Sequence, residues 1–252
     1  MWFGVISLFP EVLGVLNSGV TGRAKQNQLL QINCWNPRDF ATDKHRSVDD
    51  KPYGGGPGML MMAEPLHAAI CDAKKAAPEN TSVIYLSPQG KRFDQEIASQ
   101  FAAKGSLILV AGRYEGIDER IIQQDIDEEI SIGDYILTGG ELAAMVIIDT
   151  ISRLIPGTVG DHHSVSLDSL TSGLLKYPQY TRPEHFLDDK VPEILLSGHH
   201  QQIEHWRLKQ SLGKTWLKRP DLLAKKQLSQ EEISALNEFI EEFLQKNSRK
   251  MP

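Results

Sequence analysis

The sequence predicts an α/β domain built on a mainly parallel sheet, followed by a small helical domain, and three features predict it. Through the first 155 residues, short apolar runs alternate with stretches of helical periodicity, the rhythm of strands joined by crossover helices. From Pro156 to Gly173 the composition shifts to Gly, Ser, Thr, Asp and His with little apolar periodicity, which reads as a linker that is either functional or disordered. Beyond it, Pro178, Pro183 and Pro192 punctuate an irregular stretch before helical spacing resumes. The expected divisions are residues 1–157, a linker over 158–174, and a helical domain over 175–252.

Taken in order, the strand candidates are the apolar runs Phe3 to Leu8, Leu29 to Trp35, Val83 to Ser87, Leu107 to Ala111 and Ile130 to Leu137. Helix candidates fall between and after them, at Glu11 to Asn17, Pro65 to Ala76, Asp94 to Ala103, Ile117 to Gln123 and Glu141 to Leu154. The last is apolar nearly all round through Leu142, Met145, Val146, Ile147 and Ile148, so it belongs against the sheet or against a partner subunit. A further helix is expected from about His200 to Leu212. The final one opens on Ser229-Gln230-Glu231-Glu232, a capping box, and continues with Ile233, Leu236, Phe239, Ile240 and Phe243 at helical spacing.

The bulk numbers narrow the function classes. A chain of 252 residues can form one large domain or two smaller ones. No apolar run approaches the length of a membrane span. The N-terminal segment has no basic flank and its apolar run breaks too soon for a signal peptide. Cys34 and Cys71 lie far apart without disulfide or metal spacing, which suits free thiols in a reducing cytoplasm. The net charge of −6 argues against a nucleic-acid partner. Its distribution argues the other way. Acids crowd Glu115 to Glu129, whereas Arg207, Lys209, Lys214, Lys218, Arg219, Lys225 and Lys226 form a basic segment. That segment is either a solvated helix face or a phosphate-binding surface.

Three apolar runs end in turn-rich or Gly-rich loops: Tyr85-Leu86-Ser87-Pro88-Gln89-Gly90, Gly112-Arg113-Tyr114-Glu115-Gly116, and Ser131-Ile132-Gly133-Asp134-Tyr135-Ile136-Leu137-Thr138-Gly139-Gly140-Glu141. Ligands of open α/β sheets bind beyond the carboxyl ends of the strands, so these loops either form one pocket or are ordinary connecting turns. None carries a dinucleotide or P-loop fingerprint. A neutral adenine read through backbone groups fits better than a phosphate. The glycine-rich segment from Asp49 to Met59 is either a clamp on a second substrate or a flexible surface loop. Arg153, one turn after Asp149, forms either a helix-end ion pair or a positive charge at a pocket edge. Asp168 in the linker would by default cap a helix beginning near Ser169. The adjacent pairs His162-His163 and His199-His200 lack the further spaced ligands that a metal site needs.

Together these segments resemble the bacterial tRNA (guanine-N1)-methyltransferases, the TrmD family of the SPOUT superfamily. The resemblance runs through Ile6-Ser7-Leu8-Phe9-Pro10, Val20-Thr21-Gly22-Arg23-Ala24, Pro52 to Met59, Leu86 to Gly90, Gly112 to Arg120, Ser131 to Glu141, Tyr180-Thr181-Arg182-Pro183 and Trp206 to Gly213. Leu170 stands where the family has an aromatic, and His199 where it has Asn. The resemblance implies a deep trefoil knot in the C-terminal part of the α/β domain, a helical tRNA-binding domain after it, and a homodimer with the active site shared between subunits. It implies methyl transfer from S-adenosylmethionine to N1 of the guanine at tRNA position 37, a modification that supports reading-frame maintenance.

By the same resemblance, Tyr85, Leu86, Ser87, Pro88, Gly112, Tyr114, Glu115, Ile132, Gly133, Asp134, Tyr135, Ile136, Leu137, Gly139 and Gly140 would surround the methyl donor. Catalysis would fall to Asp168 and Arg153. Candidates for contact with tRNA are Arg23, Asp49, Tyr53, Gly58, Arg207, Lys209 and Lys214. Family dependence on Mg²⁺ is also implied, with no compact carboxylate cluster in the sequence to mark its site. The chemistry needs a base and an anion stabiliser, because guanine N1 becomes a nucleophile as its proton leaves and charge spreads to O6. An ordinary Asp is a weak base, so desolvation on closure of the linker is expected to raise Asp168. Two rival classes are a noncatalytic tRNA-binding protein and a nucleotide-dependent oxidoreductase. The missing glycine fingerprint counts against the second.

Overall fold

The computed structural model describes residues 1–159, 170 and 172–248, and the chain divides into two compact units, 1–162 and 163–252. The first unit holds a five-stranded sheet in the order β2-β1-β6-β5-β7. Its strands are β1 (Trp2–Ile6), β2 (Gln31–Trp35), β5 (Ser82–Arg92), β6 (Ser106–Ala111) and β7 (Glu128–Ser131). Every neighbouring pair is parallel. A separate short ladder joins β3 (Asp49–Asp50) to β4 (Leu60–Met61) in antiparallel fashion.

Parallel strands covered by helices on both faces are apolar on both faces, and the side chains divide by the two-residue period. Phe3, Val5, Ile84, Leu86, Leu107 and Leu109 enter one core layer, under α1 (Gly19–Gln26), α3 (Gln95–Lys104) and α5 (Glu141–Ser152). Trp2, Ile6, Val83, Tyr85, Ile108 and Val110 enter the other, under α2 (Ala63–Ala76) and α4 (Glu119–Asp125). Helix α3 begins at the Asp94 cap, whose Oδ1 accepts from the Ile97 amide at 3.0 Å, and ends at Gly105 in a left-handed C-cap.

Several expected boundaries move. The segment expected as helix from Glu11 to Asn17 is a 3-10 helix, Pro10–Asn17. β5 does not stop at Ser87 but continues to Arg92. The chain leaves the ladder after Leu86 and re-enters it at Lys91, with both residues opposite Ile130, so Ser87 to Gly90 arches out of the sheet. β7 ends at Ser131 rather than Leu137. There the Ser131 hydroxyl donates to the Gly133 carbonyl and accepts from the Gly133 amide, closing a turn that ends the strand. α5 is not buried all round: Ile147 and Ile148 are fully buried, while Leu142 and Val146 are half exposed.

The second unit is described by itself. It pairs the helices His200–Lys218 and Gln230–Ser248, with Leu174, Leu212 and Ala235 in its core and the short helix Pro220–Lys225 between them. The expected capping box is present: the Ser229 amide donates to Glu232 at 2.8 Å and the Glu232 amide to Ser229 Oγ at 3.2 Å. Lys209 is buried, and its ammonium donates to Glu238 at 2.6 Å and to Glu242 at 2.7 Å. Burial alone would lower this ammonium; the two carboxylates override it and raise its pKa. The same contact, with help from His205, holds Glu238 below the usual carboxylate range. Between the two helices Gly213 faces the ring of Phe239, which a Cβ at Gly213 would strike. Gly213→Ala is therefore expected to destabilise this unit by about 1–3 kcal/mol through overpacking, measured by urea denaturation followed by circular dichroism.

Candidate functional site

The three Gly-rich and turn-rich segments converge on one cleft of about 250 Å³. They do so because β6, β5 and β7 are neighbours in the sheet and run the same way, so their carboxyl ends share one edge. Tyr85 to Pro88 supply one wall, Gly112 to Gly116 a second, and Ile130 to Gly140 a third, with Ala143 of α5 behind. Of the fifteen residues expected around a methyl donor, fourteen line the cleft and Asp134 does not. Arg113, Gly116, Ser131 and Thr138, within the loops expected to form the pocket but not among the fifteen, line it as well, with Ile130 and Ala143.

A buried carboxylate fixes these walls. Glu141 is the first residue of α5 and its side chain is 2% exposed. Its Oε1 accepts from the Ser7 hydroxyl at 2.8 Å, just past β1. Its Oε2 meets Arg113 Nε at 2.9 Å. The same guanidinium donates to the Thr138 carbonyl at 3.1 Å and lies 4.6 Å from the centre of the Phe9 ring. The Gly140 amide donates to the Gly112 carbonyl at 2.9 Å. A Cβ at Gly140 would stand 2.7 Å from Ala111 Cα, so this approach of two backbones requires glycine. A carboxylate at the first turn also meets the positive end of the α5 dipole.

The segment around Asp49 to Met59 is anchored to the cleft at its ends. Tyr114 Oη donates to Asp49 Oδ1 at 3.0 Å, the Glu115 amide to the Met59 carbonyl at 2.9 Å, and the Met61 amide to the Gly116 carbonyl at 3.0 Å. Burial, together with the Asp49 carboxylate, raises the Tyr114 phenol. Gly58 abuts the Glu115 side chain, and Tyr53 is fully exposed at the tip. Arg23 is exposed on α1. In the second unit Arg207 donates to Glu204 at 2.6 Å and stacks over Tyr177 at 5.1 Å, and Lys214 is half-buried. Lys209, expected at a tRNA surface, is buried between two helices with its charge already matched.

The lining suits binding rather than reaction. Apart from tyrosine phenols, the ionisable groups on the cleft are Arg113, already paired with Glu141, and Glu115. Tyr85 is raised by burial and then by the charge of Glu129, so its phenol stays protonated near neutral pH. Arg153 follows the last residue of α5 and does not line the cleft. Ten residues of helix past Ala143 put it on the order of 15 Å away along the axis. Asp168, with its expected capping role, and His162-His163 lie outside the described residues.

The sequence profile described as tRNA (Guanine-1)-methyltransferase TrmD matches residues 1–225. The chain belongs to this family. Relatives in the family include the tRNA (guanine-N(1)-)-methyltransferase of Pseudoalteromonas translucida (strain TAC 125), 58% identical over 96% of each chain. That of Sodalis glossinidius (strain morsitans) is 59% identical over 96% of this chain and 97% of its own. The namesake from Aeromonas hydrophila subsp. hydrophila is 59% identical over 96% and 98%.

The Glu141 contacts give a prediction about the family's cleft in this chain. Glu141→Ala leaves the Arg113 charge without its buried partner, and is expected to lower stability by about 3 kcal/mol. Ser7→Ala should cost about 1 kcal/mol. Chemical denaturation of the two variants checks the order.

Proposed function

We propose that this chain transfers the methyl group of S-adenosylmethionine to N1 of the guanine at position 37 of tRNA. The observation that carries this reading is the single cleft at the ends of β6, β5 and β7, lined by the segments that the family resemblance assigns to the methyl donor. Leu86, Pro88, Ile132 and Leu137 give it apolar surface, and the backbone of the two glycine turns gives it polar groups without a ring of cations. That combination suits a neutral base. Glu115 adds an anion, which suits a sulfonium compound. When bound, S-adenosylmethionine supplies an electrophilic methyl carbon.

The chain's own residues supply the rest. Asp168 accepts the N1 proton and Arg153 holds O6 as negative charge moves onto it. Arg153 and the cleft stand at opposite ends of α5 in one chain, which favours a site completed by a second copy. The exposed apolar side chains Val12, Val15, Leu142 and Val146, on the adjacent 3-10 helix and α5, support a homodimer that covers them. The superfamily's trefoil knot, spanning the C-terminal part of the first unit, belongs to the same reading. So does a helical tRNA-binding second unit, contacting tRNA through Arg207 and Lys214, with Arg23, Asp49, Tyr53 and Gly58 contributing from the first. Free thiols at Cys34 and Cys71 accord with work in the cytoplasm, and no helix among the described residues is long and apolar enough to cross a membrane.

Mg²⁺ enters no step here. Among the described residues, the one group of three clustered His, Cys, Asp or Glu donors is His67, Cys71 and Asp125. Its thiol and imidazole are poor ligands for that hard cation.

Incubation of the protein with methyl-labelled S-adenosylmethionine and a tRNA transcript, followed by nucleoside mass spectrometry, is expected to yield 1-methylguanosine at position 37. A transcript without guanine there should stay unlabelled. Asp168→Asn and Arg153→Ala should each slow transfer by about 100-fold or more while leaving donor binding intact. Full activity of Asp168→Asn would refute the base assignment. An Asp168→Asn chain mixed with a Gly140→Asp chain should regain activity, since one hybrid site keeps both functional parts.

A further inference from the structure

We propose that His67, Cys71 and Asp125 form a binding site for a soft divalent cation of the Zn²⁺ class. None of the three lines the cleft. His67 and Cys71 stand one turn apart on α2, so their side chains leave the same face. Asp125 ends α4, the helix packed beside α2. Cys71 Sγ lies 3.4 Å from His67 Nε2 and 3.9 Å from Nδ1, and Nδ1 lies 2.7 Å from Asp125 Oδ2. One donor atom from each residue falls within 4.8 Å of the other two.

These spacings are near what a metal requires. Tetrahedral bonds of roughly 2.0–2.3 Å separate neighbouring donors by about 3.3–3.7 Å. With Nδ1 as the imidazole donor, an ion requires the 2.7 Å gap to Asp125 Oδ2 to open and the 3.9 Å gap to Cys71 Sγ to close. Turning the exposed His67 ring and the half-buried Cys71 side chain would supply both changes. The carboxylate is already oriented: Asp125 is 6% exposed, and Lys74 Nζ stands 3.5 Å from its Oδ1, which leaves Oδ2, on the imidazole side, as the oxygen that would meet the ion. One sulfur, one nitrogen and one oxygen select a zinc-like ion over Mg²⁺ or Ca²⁺. Thiolate and carboxylate together neutralise a dication, the thiol proton passing to solvent, and water fills the fourth position. Lys74 opposes the cation and sets an upper limit on affinity. Because the ligands bridge two helices of one sheet face, occupancy clamps α2 to α4 and stabilises the first unit by mass action.

Titration of the untagged full-length protein with Co²⁺ is expected to produce a near-ultraviolet thiolate-to-cobalt charge-transfer band that one equivalent of Zn²⁺ removes. Cys71→Ser, which keeps the side chain's size, should abolish the band, and Cys34→Ser should leave it. His67→Ala should weaken binding by roughly tenfold or more, the effect seen when a partner of a metal site is lost, and Lys74→Met should tighten it. Zn²⁺ should raise the melting temperature of the wild type and not of Cys71→Ser. Absence of the band, or its persistence in Cys71→Ser, overturns the site.

Discussion

The buried carboxylate of Glu141 is the constraint on which the first unit's cleft depends. Three pieces of chain distant in sequence end at its two oxygens: the exit of β1 through Ser7, the turn after β6 through Arg113, and its own helix, α5. Through Arg113 it also reaches the Thr138 carbonyl and the Phe9 ring. A charge that deep is costly to leave unpaired, so the loops around it are held to one arrangement. Gly140 allows that arrangement by letting α5 begin against the backbone of Ala111. The turns beside Glu141 are thus tied to one another through buried polar contacts.

These ties accompany the separation of binding from chemistry that the proposed reaction calls for. Its walls are apolar side chains, tyrosines and glycine backbone, with the arginine neutralised by Glu141. Arg153 caps the far end of the same helix. A methyl donor held between loops and a base and cation brought from elsewhere form a consistent division for the proposed reaction. The donor's own reactivity needs orientation more than activation. The half-exposed apolar residues on α5 lie along the helix that connects the two ends.

Much of the first unit was legible because fully buried parallel strands are apolar on both faces, as in Leu107 to Val110, and such runs stand out in sequence. Adjacency was not legible. Nothing in the runs ending at Leu86, Ala111 and Ile130 says that β5 sits between β6 and β7, and the single cleft follows from that order. Pro88-Gln89-Gly90 read as the end of a strand, yet the ladder resumes at Lys91, because Gly90 can lie directly against the Glu129 backbone. Lys209 read as part of a basic surface; the signal that it is internal lies on another helix, in Glu238 and Glu242 one turn apart. Cys71 read as a free thiol without metal spacing; His67 stands four residues before it on one helix, and Asp125 comes from 54 residues further along the chain than Cys71.

The central claim is that three strand ends form one site for S-adenosylmethionine. Backbone hydrogen exchange with and without that compound tests it most directly. Slowed exchange is expected together in residues 85–88, 112–116 and 132–140, with little change elsewhere in the first unit. Saturating S-adenosylmethionine that leaves those three segments unprotected, or protects a different part of the sheet, would contradict it.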